Sequence, residues 1–211
     1  MSTSSAASGN TDTKVNRKIP ISEHIVEIVS DSGEGAQKCG QSFASISAKM
    51  GNGVWTVEII PAEIQPPART IESASGIRIR VGSGKITNTG DEADLVVALN
   101  EQVPYARIKQ NAFTKGTIML LEDKWREDDS EFVKQQFEKA YEDFEERGYR
   151  VYLIPMEKEC LKIVKNPTRG KNMWVLGLLS YLYDRDTDIA EAQIRHVFRH
   201  KFEQIIESNI N

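Results

Sequence analysis

The segment Ile25-Val26-Glu27-Ile28-Val29, followed by Ser30-Asp31-Ser32-Gly33-Glu34-Gly35 and then Ala36-Gln37, decides the fold class. Its opening is a mostly β-branched run that favours an extended strand, and the turn formers after it end that strand. From Ala36 to Met50 the composition shifts to Ala, Gln, Ser and Lys. Phe43, Ile46 and Met50 there recur three and four apart, the period of a helix, until Gly51-Asn52-Gly53 stops it. A strand feeding a helix through a glycine turn is a building unit of layered α/β proteins.

Outward from this unit the pattern continues. Val54–Ile60 reads as a second strand, and the three prolines between Pro61 and Arg69 make that stretch an extended connecting loop. Between Ser75 and Val81, Ile77, Ile79 and Val81 alternate with Arg78 and Arg80, a period of two that suits a strand with one buried face and one wet face bearing the arginines. Gly82-Ser83-Gly84 turns the chain, and Lys85-Ile86 starts a short return strand. Asp94–Asn100 and Thr117–Leu121 are continuous apolar runs, the mark of strands covered on both faces in a parallel sheet. A charged helix is expected from Ser130 to Arg147, with Phe132, Phe137, Tyr141 and Phe144 inward and Gly148 as its stop, followed by a strand over Tyr149–Pro155. The last third is helical. Asn172–Tyr183 is apolar almost all round, and Ile189–Ser208 is amphipathic, with Ile194, Val197, Phe198, Phe202, Ile205 and Ile206 at helical spacing. The expectation is an α/β layered domain over residues 22–211, with a largely parallel or mixed sheet flanked by helices and a helical C-terminal third. Residues 1–21, rich in Ser, Thr, Ala and Asn and lacking a signal-peptide core, read as a disordered arm.

Composition narrows the function. The chain has 211 residues, 39% hydrophobic and 27% charged, with a mean hydropathy of -0.44, which describes an ordinary soluble chain long enough to bury a real core. A net charge of -4 and a pI near 5.5 repel nucleic acid and anionic membranes. The most apolar segment, Met173–Tyr183, is about half the roughly 20 residues a bilayer span needs. Two cysteines, Cys39 and Cys160, cannot supply the thiolates of an iron-sulfur cluster or a closed zinc site, and they fit free thiols in a reducing cytoplasm.

The glycine loop is the first place where chemistry enters. Glycines after a strand let backbone amides at the next helix N-terminus approach a phosphate or carboxylate. The dinucleotide fingerprint is not completed, because Lys38 stands where its third glycine belongs. Two readings of Gly33-Glu34-Gly35 stand side by side: amides that hold an anion such as a coenzyme A phosphate, or a tight turn packed on a neighbouring subunit, favoured by the like charge of Glu34. Arg69, Arg78, Arg80 and Lys85 are candidates for phosphates or acidic partners, although alternation places Arg78 and Arg80 on a solvated strand face. Asn100-Glu101 and Glu122-Asp123-Lys124 fall at carboxyl ends of strands, where open α/β sheets bind ligands and where polar residues also simply cap helices. His196 and His200 share a helix face, but Arg195, Arg199 and Lys201 crowd them with positive charge, so they read as surface residues. Cys39 reads as a buried small hydrophobe.

Taken in order, Ser32-Gly33-Glu34-Gly35-Ala36-Gln37, Pro61-Ala62-Glu63-Ile64, Gly76-Ile77-Arg78-Ile79-Arg80, Asp94–Asn100, and Gly170-Lys171-Asn172-Met173 with Leu176-Gly177 resemble one family throughout. It is the gamma domain of the 2-oxoacid:ferredoxin oxidoreductases, the pyruvate, 2-oxoglutarate and ketoisovalerate enzymes, and the resemblance runs from about His24 to the end. Many such domains carry Arg-Gly-Gly after the Glu of the second-strand loop. Gln65-Pro66-Pro67 stands there instead, as in the branch where the domain is fused at the N-terminus of the alpha subunit. In that branch the chain would continue beyond Ile206–Asn211 into a pyrimidine-binding domain.

The resemblance implies an enzyme that decarboxylates a 2-oxoacid on thiamine diphosphate, passes electrons through iron-sulfur clusters to ferredoxin, and transfers the acyl group to coenzyme A. It implies that thiamine and clusters sit on other alpha and beta domains or subunits, and that this chain holds none of these cofactors alone. The expected contribution is subunit interface and coenzyme A contacts, with Ser32, Gly33, Glu34, Gly35, Asn100, Lys171 and Asn172 as site residues and no catalytic or metal-binding residue. The all-round apolar helix at Met173–Tyr183 is expected to meet another domain along one side. The alternatives are a stand-alone Rossmann-like module for a nucleotide cofactor and a purely structural assembly domain.

Overall fold

The computed structural model describes residues 18–64, 66–166 and 170–210. The expected arm therefore lies outside the described residues as far as Arg17, as does Gln65. Lys18–Ile21 run without regular structure, and Lys18 pairs with Asp184 at 2.7 Å.

In chain order the elements are β1 (Glu23–Asp31), α1 (Ala36–Lys49), β2 (Gly53–Ile59), β3 (Ala74–Gly82), β4 (Ala93–Ala98), α2 (Pro104–Ile108), β5 (Phe113–Glu122), α3 (Glu131–Glu146), β6 (Arg150–Ile154), α4 (Met156–Cys160), α5 (Lys171–Leu182), α6 (Thr187–Phe198) and α7 (Glu203–Ile210). Among the described residues six strands form one sheet in the order β2-β3-β1-β4-β5-β6. The pairs β1/β4, β4/β5 and β5/β6 are parallel, whereas β1/β3 and β2/β3 are antiparallel, so the sheet is mixed. No helix among the described residues is long and apolar enough to cross a membrane.

Strand β1 explains the layers. Val26 and Ile28 point into one core with Phe43 of α1, Leu176 of α5 and Ile194 of α6, while Ile25 and Val29 point into a second core with Phe137 and Phe144 of α3. A strand buried on both faces needs apolar residues in both phases, and the run Ile25–Val29 provides them around Glu27. Phe43, Phe137 and Phe144 are fully buried, and each contributes about 1.5–3 kcal/mol through the apolar area removed from water. The helix after β1 covers one face, and the helices after β4 and β5 cover the other. The chain therefore leaves the carboxyl ends of β1 and β4 in opposite directions, and a crevice opens between them, the place where open α/β sheets bind ligands.

Several expectations are corrected. Arg78 does not lie on a wet face. It is buried, because the antiparallel register sets it opposite Glu27 and its Nε donates to that carboxylate at 2.6 Å. Arg80 is half-buried and pairs with Glu23 at 2.6 Å. Lys85-Ile86 forms no strand, since Gly82 at the end of β3 is already flanked by Glu23 of β1 and Gly53 of β2. Phe132 is 68% exposed. The buried stripe of α3 is Phe137, Ala140 and Phe144, and five residues back from Phe137 falls well off that stripe, whereas Val133, four back, is half-buried. The helix expected over Ile189–Ser208 is two helices, α6 and α7, which leaves Phe202 83% exposed. The break falls on the basic run Arg199-His200-Lys201, which suits a helix C-terminus. Arg195 then ties the two helices together through Glu203 at 2.7 Å and Glu207 at 2.6 Å. The short helices α2, opened by Pro104 at its first turn, and α4 were not anticipated.

Candidate functional site

Two groups of side chains meet at the carboxyl ends of the parallel strands. The first gathers around the loop from β1 to α1. Gly33 (φ 91°) and Gly35 (φ 86°) are both left-handed, a conformation that only glycine adopts without strain. A Cβ built on Gly35 would lie 2.5 Å from Nδ2 of Asn172, so the loop rests directly on the N-terminus of α5. Glu34, between the glycines, accepts from the Asp31 amide at 3.1 Å through one carboxylate oxygen and meets Nζ of Lys171 at 3.1 Å through the other.

Lys171 is 3% exposed and also lies 3.6 Å from Glu157, which in turn pairs with Lys124 at 2.8 Å. Glu122, at the end of β5, is buried beside them and accepts from the amides of Glu157 at 2.9 Å and Lys124 at 3.3 Å. Burial pushes the Glu122 carboxyl up to about 7, against the opposing pull of Lys171 and of those two amides. Burial pulls the Lys171 ammonium down, but Glu34, Glu122 and Glu157 outweigh it and hold its pKa above the ordinary lysine value. Two cations thus face three carboxyl groups, one of which is poised between its charged and neutral forms near pH 7.

The second group spans the β1/β4 crevice. Asp31 accepts from the Arg69 amide at 2.9 Å and from the Ser73 hydroxyl, which fastens the β2–β3 connection to the end of β1. Arg69 pairs with Glu101, and its guanidinium sits 4.4 Å over the ring of Trp125, whose indole N–H donates to the Leu99 carbonyl at 3.2 Å. Asn100 accepts from the amides of Gln102 at 2.9 Å and Val103 at 3.1 Å, so it caps the turn into α2. Its Nδ2, Oε2 of Glu101 and Nε of Arg69 are buried polar atoms that find no protein partner among the described residues. Such atoms are rare in folded proteins, and these three sit on the paired Arg69 and Glu101 and on the adjacent Asn100, which leaves unmet hydrogen-bonding capacity at this end of the sheet.

Of the residues singled out from sequence, Gly33, Glu34, Gly35, Lys171 and Asn172 come together directly. Ser32 is exposed on the same loop, its amide donating to the Ser73 carbonyl at 3.1 Å, and Asn100 lies on the adjoining strand end. Asp31 joins the two groups. Arg69 and Glu101 were weighed as candidates from the sequence but not counted among the site residues, and Trp125 and Glu157 were not picked out at all. Glu101 and Glu122 were legible as polar ends of apolar strands, but Trp125 and Glu157 sit in short connecting elements without a pattern. His196 and His200 are exposed on and just after α6, and no group of metal ligands occurs among the described residues. Both cysteines are buried, and burial raises the pKa of both thiols.

Comparison with known proteins agrees with this architecture. The family model described as pyruvate ferredoxin/flavodoxin oxidoreductase matches residues 26–211. The KorA subunit of a 2-oxoglutarate oxidoreductase from Mycobacterium tuberculosis is 33% identical over 199 residues, which cover 88% of this chain and 29% of that protein. The chain therefore spans under a third of the length of that curated relative. Among solved structures, a 2-oxoglutarate:ferredoxin oxidoreductase from Magnetococcus marinus, with 2-oxoglutarate, coenzyme A and succinyl-CoA bound, superimposes with a TM-score of 0.68 at 22% identity, covering 90% of this chain and 30% of the other. The gamma subunit of a keto/oxoacid ferredoxin oxidoreductase from Geobacter sulfurreducens gives a TM-score of 0.59 at 14% identity, covering 89% of this chain and 92% of the other. These structures share the fold. With a family match that runs from within β1 to the end of the chain, the chain belongs to the pyruvate ferredoxin/flavodoxin oxidoreductase family.

Proposed function

We propose that this chain is the gamma-type component of a cytoplasmic 2-oxoacid:ferredoxin oxidoreductase, and that its carboxyl-edge crevice contacts coenzyme A. The enzyme as a whole converts a 2-oxoacid and coenzyme A to acyl-CoA and passes electrons to ferredoxin, with thiamine diphosphate and iron-sulfur clusters held by partner alpha and beta domains or subunits. Family membership supports the assignment, and the observation that carries the coenzyme A contact is the convergence of Gly33–Gly35, Lys171 and Asn172 on one edge.

In this reading Lys171 supplies the cation for a phosphate or pantothenate oxygen, and Glu34 occupies that place until the ligand arrives. Glu34 sits between two left-handed glycines, so its carboxylate can turn away while β1 and α1 stay in place. Asn100 and Arg69 offer donors in the adjoining crevice. The cysteines do not fit a cluster on this chain alone, because Cys39 and Cys160 are two thiols where a cluster takes four. Clusters are therefore assigned to the partners, thiamine is assigned to them on the family resemblance, and ferredoxin meets the assembly rather than this chain.

Co-expression with the thiamine- and cluster-binding partners tests the assignment. The expected result is a brown, iron-containing complex in which ferredoxin reduction depends on a 2-oxoacid, coenzyme A and this chain. A chain that purifies without iron-containing partners and adds nothing to the rate would overturn it. Calorimetric titration of the chain with NAD is expected to be silent, and saturable NAD binding would instead favour a nucleotide-cofactor module.

A further inference from the structure

A second cluster of buried charge lies further back along β1, on the face covered by α2, and the reading above makes no use of it. Glu27 is fully buried and accepts from two guanidiniums: Nε of Arg78 at 2.6 Å, and Nε and Nη2 of Arg107 at 2.9 and 2.8 Å. One carboxylate thus serves two permanent cations, and the pairing leaves a positive charge over. Arg78 spends three of its four remaining hydrogens on the carbonyls of Gly90, Asp91 and Ala112, at 2.9, 2.7 and 3.3 Å. Arg107 spends only one more, from Nη1 to the side chain of Gln110, so each of its terminal nitrogens keeps a hydrogen to offer.

Both arginines line a cavity of about 350 Å³, together with Gln110, Thr89, the β2 residues Val57–Ile59 and Ile60 just after them. The volume falls in the range of small-molecule sites, roughly 300–1,000 Å³. Its walls differ in character. The floor is the guanidinium pair, and the lip is apolar, with Val57 42% and Ile60 73% exposed. The one acidic residue in the lining, Glu58, has its carboxylate bonded at 2.7 Å to Gln41 of α1 on the opposite face of the sheet, so it does not neutralise the floor.

We infer that this cavity binds a small organic carboxylate, whose head group pairs with Arg107 and whose hydrocarbon tail lies against Val57, Ile59 and Ile60. Glu27 acts as the positioning residue, because its two-oxygen grip fixes the guanidinium plane before a ligand arrives, as bidentate recognition of a carboxylate requires.

The test is a titration of the full chain with sodium hexanoate, sodium acetate and inorganic phosphate, followed by NMR through the Nε–Hε signals of Arg78 and Arg107 and the amides of Val57, Thr89 and Gln110. Hexanoate should shift these signals saturably, and at least about tenfold more tightly than acetate, because its added methylenes leave water. Arg107→Gln keeps the Glu27–Arg78 pair and should weaken hexanoate binding by about tenfold or more at the amide signals. Should that variant fail to fold, Ile60→Ser, at an exposed position, should weaken hexanoate and leave acetate unchanged. No saturable shift with hexanoate, equal affinity for hexanoate and phosphate, or retention of wild-type affinity in both variants would each overturn the inference.

Discussion

The two buried charge clusters are opposites in sign and in construction. Around Glu27 a carboxylate on a central strand locks two arginines, one from the neighbouring strand and one from α2, and the surplus is positive. Around Lys171 the lysine opens a helix, the carboxylates come from a glycine loop, a strand end and a short helix, and the surplus is negative when Glu122 is ionised. In the first, each of the three charged residues stands on a strand or a helix. The second is assembled from element ends, with Glu34 flanked by two left-handed glycines, so the same kind of ion pairing yields a clamp in one place and, in the function proposed above, an exchangeable contact in the other.

Removing the central carboxylate should separate the two most sharply. Glu27→Gln leaves two buried guanidiniums without their counter-charge, and a loss of about 3–5 kcal/mol is expected, read as a lowered urea midpoint. Glu34→Gln, the corresponding change in the other cluster, should cost under about 1 kcal/mol, since Lys171 keeps Glu157 and Glu122 nearby. Equal losses would break the distinction between clamp and exchangeable contact.

The glycine loop comes next in size. Gly35→Ala places a Cβ against Asn172 at a positive φ, and about 1–3 kcal/mol should be lost in thermal denaturation. A neutral result would mean that the loop and α5 are free to part, and the cluster would be looser than described.

Glu122 gives the second cluster a pH dependence. Its pKa in the folded chain, about 7, lies above the ordinary carboxyl value, so between the two the folded chain holds a proton that the unfolded chain has released. Stability from this group is full below the ordinary carboxyl value and is lost as pH rises toward 7. Glu122→Gln should flatten that decline in urea midpoints measured from roughly pH 4.5 to 8. An unchanged slope would place the titration elsewhere. The smallest effect is expected from Lys124→Gln at the half-exposed rim of the cluster, at most about 1 kcal/mol.

The contrast also explains what sequence could and could not reveal. The strands were legible because Ile25–Val29, Asp94–Asn100 and Thr117–Leu121 carry apolar residues in both phases, and the glycine loop because turn residues punctuate such a run. Lys171 and Asn172 became site residues through family resemblance, and the structure sets them beside the loop. Arg78 was misread because its period-two pattern describes only its own strand. Its partner Glu27 is 51 residues away, and the second arginine comes from α2, a helix too short to announce itself by periodicity. Phe132 and the α6–α7 break share that origin, since a local apolar residue or run does not specify which stripe the tertiary packing selects.

The most direct test of the account is the Michaelis constant for coenzyme A in the assembled enzyme carrying Glu34→Gln. Removing the carboxylate that occupies Lys171 also removes a like charge from the path proposed for the phosphates, so the constant should fall about fivefold with kcat unchanged. An unchanged or higher constant would contradict the account and leave the Gly33–Gly35 loop as a packing turn.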